Sequence, residues 1–250
     1  MKNFFKKLGI SLEKGAKNAE VSEQKEVIKK LPGFIEYSEK KPAIGNEIAV
    51  LSIELRDRYG LSSREASDLA LYLTNLDLRA EELTHKQILD LGSGWGYFKN
   101  AMEKVAGMGK AIINFDEVAG NVDAVGRAEA LPFADASFDL VIAHCSVPIM
   151  DATSGNYKII PQSLREMLRV VGSGGAVKVF PVALTRDDAP EMAREYLQMG
   201  STVLEELENI HKSYPDVKIK VVETTEQSGD TRWLLELLKP EIKIETGRYS

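Results

Sequence analysis

A single cysteine, Cys145, is all that this 250-residue sequence holds. No intrachain disulfide can form, which fits a reducing compartment and a cytoplasmic protein. There are three histidines, and no H-x-x-x-H spacing or cysteine pair accompanies them. A metal centre is therefore not expected. No G-x-S-x-G elbow is present to carry a serine nucleophile. No apolar run is long enough to span a bilayer. Lys2, Lys6 and Lys7 are followed by no apolar stretch of the signal-peptide kind. Positive charge is also in deficit. The net charge is −6, and a chain that tracks nucleic acid needs a basic face.

What is present is ordinary globular composition, 44% hydrophobic and 28% charged. Residues 1–17 hold five lysines against one glutamate. Phe4, Phe5, Leu8 and Leu12 can share one helical face there, a weak anchor for an anionic membrane surface, a helix packed on the domain or a frayed, solvated terminus. LPGF at Leu31–Phe34 interrupts the chain. Glu47–Tyr59 then has helical periodicity. Ser62 with Glu65 three residues later forms a capping box that opens a helix through Leu69, Leu71 and Leu73. Residues 1–85 are expected to be helical, without a strand, and to form an extension placed to act as a lid.

From Gln87 the pattern changes. Gln87–Leu91, Ala111–Phe115, Leu140–Ala143, Ala176–Val182, Lys218–Val222 and Arg232–Leu237 are strand-like. Between them, Tyr97–Ala106 and Pro161–Val170 are helical. A tract from Asp188 to Lys212 is also helical, broken near Gly200. Strands alternating with helices predict an α/β fold over 86–250: a Rossmann-like, doubly wound, mostly parallel sheet.

The stretch ILDLGSGWG, Ile88–Gly96, places glycines at 92, 94 and 96 after the first of these strands. A dinucleotide loop needs G-x-G-x-x-G, which this spacing misses by one residue. Asp90 would also sit poorly beside a pyrophosphate. An acid before bare glycine backbone suits a ligand with an ammonium or sulfonium end. That favours S-adenosylmethionine over NAD.

Four phrases occur in order: ILDLGSGWG, INFD, VGRAEALPFADASFDLVIA and LREMLRVVGSGGAVKVF. Together they resemble the class I S-adenosylmethionine-dependent methyltransferases over roughly residues 86–182. The resemblance implies that Asp90, Gly92, Gly94 and Gly96 hold the methionine part of S-adenosylmethionine. It implies that Asp116 accepts from both ribose hydroxyls, as a carboxylate can. Ala128 and Glu129 would border the adenine, with Leu131, Pro132 and Phe133 as part of its wall. The segment Asp139–Cys145 would face the methyl group.

Two departures stand out. Where relatives carry an acid before the Ala-Glu pair, this chain has Arg127, which has donors and no acceptor. Glu129, or backbone groups and stacking, must then serve the adenine. The gap from Asp116 to Val122 is also too short for a crossover helix, which is expected to be missing.

Methyl transfer asks the protein for alignment and dryness rather than a triad. His144, directly after the strand Leu140–Ala143, is the candidate general base; His85 and His211 are poorly placed. The [DNS]-PP-[YF] tetrapeptide of amide- and nucleobase-amine methyltransferases is absent. The reading is methyl transfer to a small-molecule or lipid-like acceptor, with no nucleic-acid partner. The alternative is a degenerate S-adenosylmethionine-binding protein with a regulatory or scaffolding role. The sequence leaves the oligomeric state open.

Overall fold

The computed structural model describes residues 31–40, 45–118, 120–153, 155–184, 194–225 and 231–241. Residues 1–17, and most of the tract from Thr185 to Arg194, lie outside the described residues.

The chain opens with strand β1 (Ile35–Lys40), followed by helices α1 (Gly45–Tyr59), α2 (Ser63–Asn75) and the short α3 (Ala80–Leu83). The site-building half comprises β2 (Ile88–Leu91), α4 (Tyr97–Ala106), β3 (Ile112–Asp116), β4 (Ala124–Val125) and β5 (Phe138–His144). Next come α5 (Ile149–Thr153), a 3₁₀ turn at Tyr157–Ile159, α6 (Ile160–Val170) and β6 (Val171–Val182). Helix α7 (Arg194–Ser213) and strands β7 (Lys218–Thr225) and β8 (Thr231–Leu238) close the fold.

The eight strands form one sheet in the order β1-β7-β8-β6-β5-β2-β3-β4. Only β8 runs antiparallel to its neighbours. The strand order reverses between β2 and β5, which are parallel neighbours. A crevice beyond their carboxyl ends is where an open α/β sheet takes a ligand.

The capping box forms as expected: the Ser62 hydroxyl accepts from Glu65 N–H, and the Glu65 carboxylate accepts from Ser62 N–H. Among the described residues no helix connects β3 to β4, and β4 is only two residues long.

Three expectations are corrected. The first 85 residues are not all helical, because Ile35–Lys40 pairs in parallel with β7 at the sheet edge. Its short alternation buries Ile35 and exposes Glu36, while the Tyr37 hydroxyl donates to Glu223. Helix α7 runs unbroken through Gly200, because Met199, Val203, Leu204 and Leu207 are buried in the core. That burial outweighs glycine's cost of about 1 kcal/mol in a helix. Strand β6 begins at Val171 rather than Ala176. It takes in three glycines, one of which (Gly175) approaches the Asp139 carbonyl too closely for any side chain.

Candidate active site

A cavity of about 510 Å³ opens beyond β2, β3 and β5. Its lining comes from residues 91–159: Leu91 and Gly92 after β2, Asp116 to Val118 after β3, Gly126 to Ala128 after β4, and Cys145 to Val147 with Met150 and Asp151 beyond β5. No residue of α1 or α2 lines it. The volume falls within the range of small-ligand sites.

Asp116 is the last residue of β3 and lines the cavity. Two backbone donors orient it, Gly94 N–H at 3.0 Å from Oδ2 and Val118 N–H at 3.1 Å from Oδ1. Each oxygen retains acceptor capacity toward the cavity. The glycine loop is tight on its inner side. Gly92 has φ +73°, and a Cβ there would lie 2.2 Å from Ser146 Cβ. Ser146 is fixed in turn by donating to the Leu91 carbonyl at 2.7 Å. Gly96, at φ +67°, would place a Cβ 2.3 Å from Asn114 Nδ2. Gly94 differs: its Cβ position meets no protein atom within 4 Å.

Of the residues expected to bind cofactor, Gly92, Asp116 and Ala128 line the cavity. Gly94 and Gly96 stand beside it, through the bond to Asp116 and the packing on Asn114. Asp90 does not line it. The carboxyl is wholly buried, on the same sheet face as Ile88, and accepts from the Tyr72 hydroxyl. Burial pushes its pKa up to about 8; the charges of Asp116 and Asp68 add to that, and the Tyr72 bond opposes it. Leu131 is also outside the lining. It is buried, with its N–H given to Glu166 and its carbonyl accepting from Arg169.

Arg127 lines the cavity, and its Nε donates to Glu129 Oε1, with Glu117 3.9 Å away. Glu129 is thus engaged by the arginine that raised the question. Asp151 stands near this group. Burial, with Glu117 and Glu129 adding to it, raises its pKa to about 6, and Arg127 opposes the rise. Glu117, Ser146, Met150, Asn156 and Asp151 were not picked out from the sequence. Position after β3 and β5 is the one sequence signal they carry.

His144 lies outside the cavity lining. Its Nε2 is 3.0 Å from Asn75 Nδ2, and its ring packs against Tyr72 and Phe180. Burial, with a smaller contribution from the charge of Arg232, lowers its pKa to about 4. The imidazole is therefore neutral at pH 7. Among the described residues, no group of three or more histidine, cysteine, aspartate or glutamate side chains is arranged to hold a metal ion.

Residues 89–179 match the family described as a methyltransferase domain. No curated protein matches the chain. Solved structures similar to it include an S-adenosylmethionine-dependent methyltransferase of Methanosarcina mazei, 16% identical over 63% of this chain and 93% of that one, with a TM-score of 0.40. A 16S rRNA (adenine(1408)-N(1))-methyltransferase from Catenulisporales acidiphilia is 13% identical over 67% and 94%, with a TM-score of 0.42. Human N-acetylserotonin methyltransferase in complex with S-adenosylmethionine is 16% identical over 78% and 66%, with a TM-score of 0.41. At such scores these likenesses add nothing to the reading of the site. The matched segment spans the glycine loop, Asp116 and the strands around the cavity, and a cavity floored by Gly92 and edged by Asp116 fits the cofactor of that family. Through this segment the chain is similar to the methyltransferase-domain family.

Proposed function

We propose that the cavity beyond β2, β3 and β5 holds S-adenosylmethionine and that the protein methylates a small or lipid-like acceptor. The observation that carries this is the Asp116 carboxylate, turned into the cavity by the Gly94 and Val118 N–H groups beside a loop that admits no side chain at Gly92. When bound, the cofactor supplies a methyl group on a sulfonium centre, already reactive toward an aligned acceptor. The residues of this chain bind and orient. Asp116 accepts from paired hydroxyls; Gly94, whose Cβ position is open, lets a ligand approach the backbone, while Gly92 and Gly96 seat the loop against Ser146 and Asn114. Ala128 and Glu129 border its far end, with Leu131 behind them.

Two features support the acceptor class. Val118 and Met150 line the cavity yet are 73% and 47% exposed, which gives its mouth an apolar rim. Three lining carboxylates, Asp116, Glu117 and Asp151, face one cation, Arg127. That balance repels a phosphate backbone. His144 was the candidate base. Its bond to Asn75 and its low pKa support a neutral imidazole that ties α2 to β5, and we assign it no proton transfer. We place residues 1–85 as an extension to the domain at 86–250, and the protein in the cytoplasm. Among the described residues no helix is long and apolar enough to cross a membrane.

The pairing of Arg127 with Glu129 favours a second reading, a cofactor-binding protein without turnover. Calorimetric titration with S-adenosylmethionine, S-adenosylhomocysteine and NAD tests the first. Binding of the first two is expected, and binding of NAD alone would overturn it. Methyl release over a panel of apolar acceptors separates the two readings.

A further inference from the structure

On the sheet face beneath α2 and α4, apolar residues give way to polar ones within one step. Ile88, Ile112 and Leu140 belong to the buried cluster there. The next residues on that face of β2 and β3 are Asp90 and Asn114, paired neighbours with almost no exposure. The glycine loop rests on this polar step. Gly96 packs directly on Asn114, and Leu91 and Gly92 follow Asp90 into the cavity lining. A buried carboxyl is costly without a partner. Among the described residues its one hydrogen-bond donor is the Tyr72 hydroxyl, 3.2 Å from Oδ1 and 3.4 Å from Oδ2.

Tyr72 is itself held. Its ring stacks on Phe98 of α4 at 4.5 Å and 11° and lies 4.5 Å from His144, while Asn75, three residues along α2, reaches His144 Nε2. Helix α2 therefore grips the carboxyl ends of both β2 and β5, the two strands between which the cavity opens. It does so from outside residues 89–179, the segment matched by the family.

We propose that Tyr72 is a positioning residue of the cofactor site: its hydroxyl holds the Asp90 carboxyl beneath the glycine loop and so sets the loop that receives the ligand. The proposal rests on the reading of the cavity as the S-adenosylmethionine site. Tyr72 touches no ligand and acts through Asp90. Removing the hydroxyl leaves the ring stacking in place but leaves a buried carboxyl without its donor. The carboxyl must then shift toward water or toward Asn114, and the loop above it moves.

The test is a binding cycle on the full chain, by calorimetry with S-adenosylmethionine and S-adenosylhomocysteine. Tyr72→Phe is expected to weaken both ligands about five- to tenfold, the scale of one hydrogen bond to a buried polar group. In an Asp90→Ala background the same change is expected to have almost no effect, because the partner is gone. Asp90→Asn, whose amide oxygen still accepts from Tyr72, is expected to bind far better than Asp90→Ala. Carboxyl ¹³C NMR reads the contact without a ligand. The Asp90 titration is expected to move up in Tyr72→Phe, with Asp68 and Asp116 the other charges acting on it. Equal losses from Tyr72→Phe in both backgrounds, or an unmoved titration, would overturn the proposal alone. If the folded parent bound neither ligand, the proposed function would fall as well.

Discussion

Asp116 and Asp90 are two of the three acids that the sequence offers to the ligand, and they sit on neighbouring strands with opposite fates. Asp90 pairs in register with Asn114, two residues before Asp116 on the same face of β3. Asp116 therefore ends its strand at the cavity, paired with Val125, while Asp90 lies one residue inside β2. One is the last residue of its strand, and the other is followed by Leu91. Asp116 is met by backbone N–H groups in an open cavity. Asp90 is sealed under α2, and burial takes its pKa to about 8. An acid near a strand end thus lines a cavity or stands as an internal prop according to a shift of one or two residues, and the residue type does not distinguish them.

The comparison breaks first at the loop between the two acids. Gly92→Ala forces a Cβ onto Ser146 at a φ of +73°. It is expected to cost about 2–5 kcal/mol through strain and overpacking, seen as a lowered melting temperature and lost cofactor binding. Gly94→Ala meets no protein atom. Its cost is expected to be confined to the backbone, about 1–2 kcal/mol, plus whatever it takes from the ligand.

Asp116→Ala is the next largest. It removes an acceptor from the ligand and strands the Gly94 and Val118 N–H groups, and is expected to weaken binding by about 1–3 kcal/mol. Calorimetry on the folded variant checks it.

The third effect is on stability against pH. A carboxyl whose folded pKa lies above its unfolded value stabilises the fold at low pH and loses that contribution as pH rises toward the folded value. For Asp90 the window runs from about 4 to about 8. His144, depressed to about 4, works in the opposite sense below its ordinary value of about 6.5. Asp151 is half titrated at about 6 and has largely completed its change by about pH 7. Between about pH 7 and 8, then, Asp90 is the group among these three that acts, and stability is expected to fall by at most about 1.4 kcal/mol per pH unit. Asp90→Asn is expected to flatten that decline in denaturant melts. A slope unchanged by the substitution would mean that Asp90 does not titrate there.

The smallest effect concerns Arg127. Because its cation opposes the rise at Asp151, Arg127→Gln is expected to move the Asp151 titration upward from about 6, read by carboxyl NMR. Arg127→Asp would set another carboxylate among Glu117, Glu129 and Asp151. It is expected to weaken cofactor binding rather than restore a contact.

Legibility in the sequence followed the range of the interactions. The Ser62–Glu65 box, the helix over Tyr97–Ala106 and the missing crossover after Asp116 are local, and each is readable from a few neighbouring residues. Strand β1 was hidden because its partner, β7, comes about 180 residues later and it carries only two alternations. The break anticipated at Gly200 failed because core burial, not propensity, decides a helix interior. At the site, the loop was readable from its glycine spacing, and Asp116 from the resemblance to the methyltransferase family. The enclosure of Asp90 by Tyr72 was not, since it depends on how α2 lies across β2. Ser146 and Asp151 were missed because nothing in their type or spacing marks them before β5 brings them opposite the glycine loop.

The most direct measurement is the affinity for S-adenosylmethionine of three proteins side by side: the parent, Asp116→Ala and Asp90→Asn. If Asp116 meets the ligand and Asp90 only supports the loop, Asp116→Ala loses about five- to 150-fold, while Asp90→Asn stays within about threefold of the parent because it keeps the Tyr72 bond. A large loss in Asp90→Asn with an unaffected Asp116→Ala would contradict the assignment of the two acids.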